Sequence, residues 1–317
     1  MSDKLATEPL AGAQRLKRWL RPLMLALTVV FVAVTAHDLW GRWDGRSVRV
    51  EPAFAVLALL PTLVGAFLQG LAWILLVERM ATRRTPRWAA LALYLDSQLA
   101  RYTPGKVGLP LIRMEGAPRL GLPRRLVGVS VLLEMLSWTA TGAVVGFLLL
   151  VWLGAPGGGL SGLAGRFAPY LLGASLLALL GLVLVDRRRL SPSRQISLGL
   201  EGSGAIVPLR LPLLQLLYWV SWAVHGYFLA RALGADPRAA LSTMGFSPLA
   251  NVLGFVALAA PAGVGVREAV MVAGLSPVLG GPGAVAAAIL ARVLSLASDV
   301  LVWAGVRAVC ARPQRAP

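Results

Sequence analysis

The sequence predicts an all-α, polytopic membrane protein, with about six full spans and two re-entrant helical hairpins arranged as two inverted repeats. Hydrophobic residues make up 57% of the 317 residues and charged residues only 14%, whereas an ordinary soluble domain has about a quarter charged residues. Several apolar runs reach the roughly 20 residues that cross a bilayer core. Helix-breaking Pro and Gly residues interrupt two further apolar regions.

Six apolar runs are long enough to be full spans. They are Leu20–Leu39, Ala53–Val77, Leu126–Leu153, Phe167–Val185, Leu211–Leu233 and Ala284–Val306. The first run follows basic residues as a signal peptide does, but we interpret it as a retained span because the topology requires it. We expect a single transmembrane domain over 1–317, with repeats at about 20–153 and 167–306 and short tails at 1–19 and 307–317.

Two further regions predict hairpins, because each contains two short apolar segments separated by a Pro/Gly break. The segments are Trp88–Ala100 with Leu109–Leu120, and Ala239–Ala260 with Val266–Leu279. The residues that make the breaks are Pro104, Gly105 and Gly108 in the first, and Pro261, Gly263 and Gly265 in the second. Broken backbone at membrane depth is tolerated where protein or a water-filled cavity surrounds it.

The two breaks share a pattern almost half of the chain apart. Pro104-x-x-Val107-Gly108 matches Pro261-x-x-Val264-Gly265. Each half then contains three spans and one hairpin, and an odd number of spans inverts the second half relative to the first. Inverted repeats with paired broken helices are typical of transporters that bind their substrate near the membrane midplane.

The chain is strongly basic, with a formal net charge of +17 from 31 Lys and Arg residues against 14 Asp and Glu residues. The predicted topology places most of these basic residues in cytoplasmic loops if both termini are cytoplasmic, as the positive-inside rule requires. We therefore expect cytoplasmic termini and a location in a bacterial inner membrane. Basic residues in these loops also meet anionic lipid headgroups at the membrane surface. Because the sequence has no basic soluble module, we expect no nucleic-acid partner.

The inventory of reactive residues is small. Cys310 is the single cysteine, and His37 and His225 are the two histidines, so we expect no disulfide, no His/Cys metal site and no cofactor. The sequence contains no Walker phosphate loop, no H-E-x-x-H and no G-x-S-x-G motif. We therefore expect no enzymatic activity.

Eight ionisable residues in or beside the apolar segments are candidate substrate-binding residues. They are Arg101, Lys106, Arg113, Glu134, Arg267, Glu268, Arg292 and Asp299. A charge at the bilayer centre costs at least roughly 2.5–3.5 kcal/mol, so such a residue normally faces a cavity or a partner.

The basic residues around the first break allow two interpretations. Arg101, Lys106 and Arg113 are either an ordinary positive-inside loop or an anion site. Basic side chains and free backbone N–H groups at a helix start suit a phosphate, and Gly105 and Gly108 would allow a headgroup to approach the backbone.

The other candidates also allow two interpretations. Arg267 and Glu268 follow the second break, where they form either a local ion pair that caps a short helix or part of a substrate site or gate. Glu134 and Arg292 occupy matching positions in the two repeats, and Asp299 lies about two helical turns after Arg292, which can place both on one face. These residues form either a structural ion pair between the repeats or carboxylates that change protonation during transport.

Three segments, Leu95–Trp138, Leu253–Leu275 and Ala286–Trp303, resemble the lysylphosphatidylglycerol synthase transmembrane region family. The family's R-x-x-P-G-x-x-G and P-x-G-x-G-x-R-E patterns match Arg101 to Gly108 and Pro261 to Glu268, and its intramembrane Glu and Arg match Glu134 and Arg292. The resemblance implies a flippase-like membrane protein, here in the stand-alone form without the synthase domain. It implies movement of a charged or glycosylated lipid between leaflets.

The function that we expect is therefore a lipid transporter that moves an anionic, aminoacylated or glycosylated lipid, with membrane lipid headgroups as its partners. Two alternatives remain: a membrane-embedded transferase that acts on a lipid-linked substrate, and a non-transporting accessory subunit of a separate lipid synthase. The sequence leaves the identity of the lipid, the coupling ion and the oligomeric state open.

Overall fold

The computed structural model describes residues 49–100, 108–154, 159–184, 205–257, 263 and 265–311, with single positions between 191 and 200. Within these ranges every regular element is a helix and no β-strand occurs, which confirms the predicted all-α class. The predicted first span, Leu20–Leu39, and the N-terminal tail lie outside the described residues.

The helices follow one another in chain order, and a 3-10 turn over Ala117–Leu120 follows α3. They are α1 Pro52–Ala81, α2 Arg87–Leu99, α3 Gly108–Gly116, α4 Arg124–Trp152, α5 Gly159–Val183, α6 Arg210–Ala232, α7 Pro237–Ser242, α8 Phe246–Val256 and α9 Val266–Ala311.

Four stretches of the described chain are long and apolar enough to cross a membrane. They are Pro52–Ala81, Arg124–Trp152, Pro237–Val256 and Val266–Ala311. Three of them cover predicted spans, apart from Leu153 at the end of the second, whereas Pro237–Val256 contains most of a segment predicted as one arm of a hairpin. Helices α5 and α6 occupy the positions of two more predicted spans. The total of six spans remains a prediction.

The two predicted hairpins each contain helices at the expected positions. Helices α2 and α3 pack against each other, and residues 101–107 between them lie outside the described chain. In the second region α8 packs against α9. Helix α9 is broken at Gly280, where φ is 70° and ψ is 172°, a conformation that essentially only glycine adopts. The break separates the predicted segment Val266–Leu279 from the predicted span Ala284–Val306.

The buried core has two main parts. One surrounds Trp73 and Leu76 of α1 and includes residues of α2, α4, α6 and the end of α9. The other surrounds Phe246 of α8 and Leu275 of α9 and includes residues of α4 and α6. Helices α4, α6 and α9 contribute to both parts, so they connect the two hairpin regions.

Helix α4 approaches α6 and α8 closely because it carries glycines four residues apart, Gly142 and Gly146. A Cβ atom at Gly142 would overlap the indole ring of Trp219 and lie 2.6 Å from Val252. A Cβ atom at Gly146 would lie 2.6 Å from Leu249. Small residues at this spacing allow membrane helices to pack with their backbones close together.

We expect Gly142→Ala to destabilise the protein by about 1–3 kcal/mol, because the methyl group would overlap the rigid indole of Trp219. Gly305→Ala on α9 is the matched control, since a Cβ atom there would meet no neighbouring atom of the described chain within 4 Å and alanine favours a helix. Thermal unfolding of the purified variants in detergent measures the difference. Equal stability of the two variants would contradict this packing.

Candidate functional site

A polar cavity of about 110 Å³ lies among the helices of both hairpin regions. Among its lining residues are Gln69, Gln98, Arg113, Glu134, Asn251, Arg267 and Arg292, together with Tyr94, Trp138, Tyr218 and Phe255. The cavity thus brings together four of the eight predicted site residues, which are separated by up to more than half of the sequence.

Arg113 of α3 is one of the most deeply buried side chains, with 1% of its surface exposed. Its guanidinium group forms an ion pair with the carboxylate of Glu134 on α4, and its Nε donates a 2.7 Å hydrogen bond to Ser97 Oγ. The same group lies 4.8 Å from the ring centroid of Trp73 and 4.5 Å from that of Tyr94. Aromatic faces attract a desolvated cation, so the cation is stabilised from several sides.

Glu134 is bound from three neighbouring helices. Gln69 of α1 donates to Glu134 Oε1 at 2.9 Å, while Arg113 contacts the other carboxylate oxygen. Gln215 of α6 donates to the backbone oxygen of Glu134 at 3.2 Å and accepts a 2.5 Å hydrogen bond from Ser137 Oγ. A buried carboxylate requires such partners because burial without them is costly.

A second buried ion pair joins Glu268 and Arg292, with 2.7 Å between Oε1 and the guanidinium nitrogen. Both residues belong to α9. In a continuous helix they would lie about 36 Å apart, since the rise is roughly 1.5 Å per residue. The ion pair therefore requires the chain to fold back at Gly280.

Glu268 also caps the first turn of α9. Its Oε2 accepts a 2.9 Å hydrogen bond from the backbone N–H of Gly265, as the glutamate of a capping box does. The structure therefore agrees with the capping part of that interpretation, whereas the ion pair of Glu268 is with Arg292 rather than with the adjacent Arg267. The ion pair with Arg292, on the far side of the Gly280 break, is a contact that the sequence did not indicate.

The two ion pairs have opposite polarity. In the first, α3 supplies Arg113 and α4 supplies Glu134, whereas in the second the part of α9 before Gly280 supplies Glu268 and the part after it supplies Arg292. Of the two interpretations of Glu134 and Arg292, a structural ion pair between these two residues is therefore not what the structure shows. Each of these span residues pairs instead with the hairpin that precedes it in the chain, because that hairpin packs directly against its span.

Arg267 lies beside the second break, with its guanidinium carbon 5.3 Å from the ring centroid of Trp222. The break is formed by Gly263 and Gly265, whose φ angles are 73° and 77°. A Cβ atom at Gly263 would lie 2.5 Å from the backbone oxygen of Gly254 on α8. The glycines therefore allow the segment between α8 and α9 to pack against α8.

Asp299 lines a smaller cavity beside the main one. The two cavities share Gln69, Tyr94, Gln98 and Tyr218 as lining residues. Arg292 and Asp299 therefore line neighbouring cavities.

Several predicted site residues lie outside the described chain. They are Arg101, Pro104, Gly105, Lys106 and Pro261. Gly108 is the first residue of α3. The anion site that we predicted around the first break therefore remains a prediction, and Arg113, its third basic residue, lies in the described cavity.

The uncharged polar residues of the site were not predicted from the sequence. Gln69, Gln215 and Asn251 are amides in apolar helices, and polar residues in such helices normally face the protein interior. That signal was present in the sequence. Nothing similar in the sequence indicated that Trp73 and Tyr94 contact the Arg113 guanidinium, because aromatic residues are common in membrane proteins.

Removing one member of the first ion pair should be far more harmful than removing both. We expect Arg113→Met alone to destabilise the protein by about 3–5 kcal/mol, because it leaves the Glu134 carboxylate buried without its cation. The double variant Arg113→Met/Glu134→Leu should recover much of this loss. Unfolding temperatures of Arg113→Met, Glu134→Leu and the double variant measure the energetic coupling between the two residues. Strictly additive effects would contradict this coupling.

Comparison with known proteins identifies the family of this chain. No curated protein matches the sequence. The family model described as lysylphosphatidylglycerol synthase TM region matches residues 19–302, a stretch that includes all of the cavity residues named above. The chain therefore belongs to the lysylphosphatidylglycerol synthase transmembrane region family, whose members are membrane proteins related to lipid modification and transport.

Proposed function

We propose that this protein moves the headgroup of an anionic, aminoacylated or glycosylated lipid between the two leaflets of a membrane. The observation that carries the proposal is the polar cavity, where Arg113, Glu134, Arg267 and Arg292 meet inside an apolar helical protein. Charged residues at membrane depth are expensive and typically mark a substrate pathway.

The charge of the site favours an anionic group. Among the described residues that line the main cavity, three are arginines and one is a carboxylate. When Glu268, the partner of Arg292, is included, the cluster still carries more positive than negative charge. Arginine is well suited to phosphate because its planar guanidinium group can donate two parallel hydrogen bonds.

The polar, uncharged residues of the cavity extend this argument to the rest of a headgroup. Gln98 and Asn251 line the cavity, and their amides can both donate and accept hydrogen bonds. Such groups suit the hydroxyl or amine groups of a glycosylated or aminoacylated lipid. In this proposal the headgroup crosses through the cavity while the acyl chains stay in the bilayer.

The predicted inverted repeats provide the movement that transport requires. Their hairpins would open in turn toward the two sides of the membrane, as in other transporters with broken helices. Arg101 and Lys106 belong to this proposal as predicted phosphate ligands at the first hairpin. The chain would bind and release lipid without chemical change, and a separate lipid synthase would supply the substrate.

Leaflet exchange of fluorescent lipids in liposomes tests the proposal directly. We expect the purified protein to accelerate exchange of at least one lipid in a panel of anionic, aminoacylated and glycosylated headgroups. Chemical conversion of the lipid would instead support a membrane-embedded transferase. If the protein causes neither exchange nor conversion, that result would support an accessory subunit.

Arg267→Gln should slow this exchange by about 10–100-fold, because a hydrogen bond to a charged group contributes roughly 1.5–3 kcal/mol. Arg307→Gln is the matched control, since Arg307 pairs with Asp96 rather than lining the cavity. We expect exchange by the control variant to stay within about twofold of the unmodified protein. Equal loss in both variants would contradict a specific role for Arg267.

If a carboxylate changes protonation during transport, Glu134→Gln or Asp299→Asn should alter the pH dependence of exchange. Asp96→Asn is the matched control, because Asp96 pairs with Arg307 outside the main cavity. Exchange rates measured across a pH series, together with the unfolding temperature of each variant, separate transport from folding. Unchanged rates and pH profiles in both cavity variants would exclude proton coupling through these residues.

A further inference from the structure

A second candidate site lies where α1 ends and α6 begins. A groove of about 680 Å³ is lined there by Arg79, Arg83, Arg84 and Arg210, together with Glu78. None of these residues lines the main cavity. We propose that this groove holds the phosphate of an anionic phospholipid that stays bound to the protein, separate from the transported lipid.

The charge of the groove favours an anion. Four arginines and one carboxylate, that of Glu78, line the groove. The carboxylate already accepts hydrogen bonds from the backbone N–H and the hydroxyl of Thr85, at 2.9 and 3.2 Å. Glu78 therefore holds the turn that follows α1. Basic pockets between membrane helices are a known type of binding site for anionic lipid headgroups.

The groove is a built feature rather than a loose group of surface charges. Arg79 Nε donates a 3.1 Å hydrogen bond to the backbone oxygen of Ala205, which joins the end of α1 to the segment before α6. Helices α1 and α6 also pack along one another. The end of α1, with Arg79, and the start of α6, with Arg210, thereby lie at one place, and Arg83 and Arg84 directly follow α1.

Apolar stripes that lead away from the groove favour a lipid over a soluble anion. On α1, Phe67 and Leu71 are exposed and precede Leu75 and Arg79 at helical spacing. Residues three or four positions apart lie on one face of a helix. This face is therefore apolar along its length and basic at its end.

Helix α6 has the same arrangement in the opposite chain direction. Leu213 and Leu217 are 53% and 55% exposed and follow Arg210 at helical spacing, while Leu209 at the groove is 64% exposed. The two stripes provide surfaces for acyl chains, and the arginines meet at the level of the phosphate. A free phosphate ion would use only the arginines.

The test is retention of a fluorescent phosphatidylglycerol by the full-length protein in detergent, which requires no leaflet exchange and so does not depend on transport. The triple variant Arg83→Gln/Arg84→Gln/Arg210→Gln should weaken retention by on the order of a hundredfold, because each arginine near an anionic lipid contributes roughly a factor of five. Fluorescent phosphatidylcholine, which has no net charge, should bind much more weakly to the unmodified protein.

Arg119→Gln/Arg124→Gln/Arg125→Gln is the matched control, since it removes three exposed arginines near the start of α4 and changes the net charge equally. We expect it to retain phosphatidylglycerol within about threefold of the unmodified protein. An equal loss in this control would overturn the proposal, because the effect would then be nonspecific attraction.

Two further results would also overturn it. Retention abolished by Arg267→Gln would place the bound lipid in the main cavity instead. Displacement by inorganic phosphate as effective as displacement by unlabelled phosphatidylglycerol would show that the arginines bind phosphate without the apolar stripes.

Discussion

The structure depends on the requirement that every charge buried among apolar helices has a partner. A lone buried ion is far more costly than a paired one, so the positions of Arg113, Glu134, Glu268 and Arg292 determine which helices must touch. The first pair holds α3 against α4, and the second holds the two parts of α9 against each other. The hairpins are thus attached to the spans by their charges as well as by packing.

The same residues that hold the hairpins in place also line the cavity. Arg113, Glu134 and Arg292 face this space, and hydrogen bonds from Gln69 and Gln215 join Glu134 to α1 and α6. In the proposed function, an anionic headgroup that enters the cavity would act on the contacts that position these helices. Binding and helix position would then be coupled, because both would use the same side chains.

Apolar length and Pro/Gly breaks predicted most of the described helices, because both are direct consequences of the bilayer's thickness and of backbone geometry. The sequence also indicated Arg113, Glu134, Arg267 and Arg292 as candidate substrate-binding residues, and the structure brings these four to one cavity. The sequence did not identify the ionic partners, since spacing along a helix says nothing about which helix packs beside it. Glu134 and Arg292 matched each other in the repeat pattern, yet each contacts the hairpin that precedes it. The contacts of Tyr94 and Trp73 with the Arg113 guanidinium were not predicted, because they depend on where the fold places Arg113.

The ion pairs are also close in sequence: Arg113 and Glu134 are only 21 residues apart, and Glu268 and Arg292 lie within a single element. Contacts between nearby residues require little loop closure and form early in folding. Each hairpin and the following span can therefore neutralise their own charges soon after synthesis. Contacts between distant parts, such as Gln215 with Glu134 across 81 residues, can form afterwards. Each pair thus needs only the adjoining stretch of chain to form, whereas the Gln215 contact needs a distant helix in place.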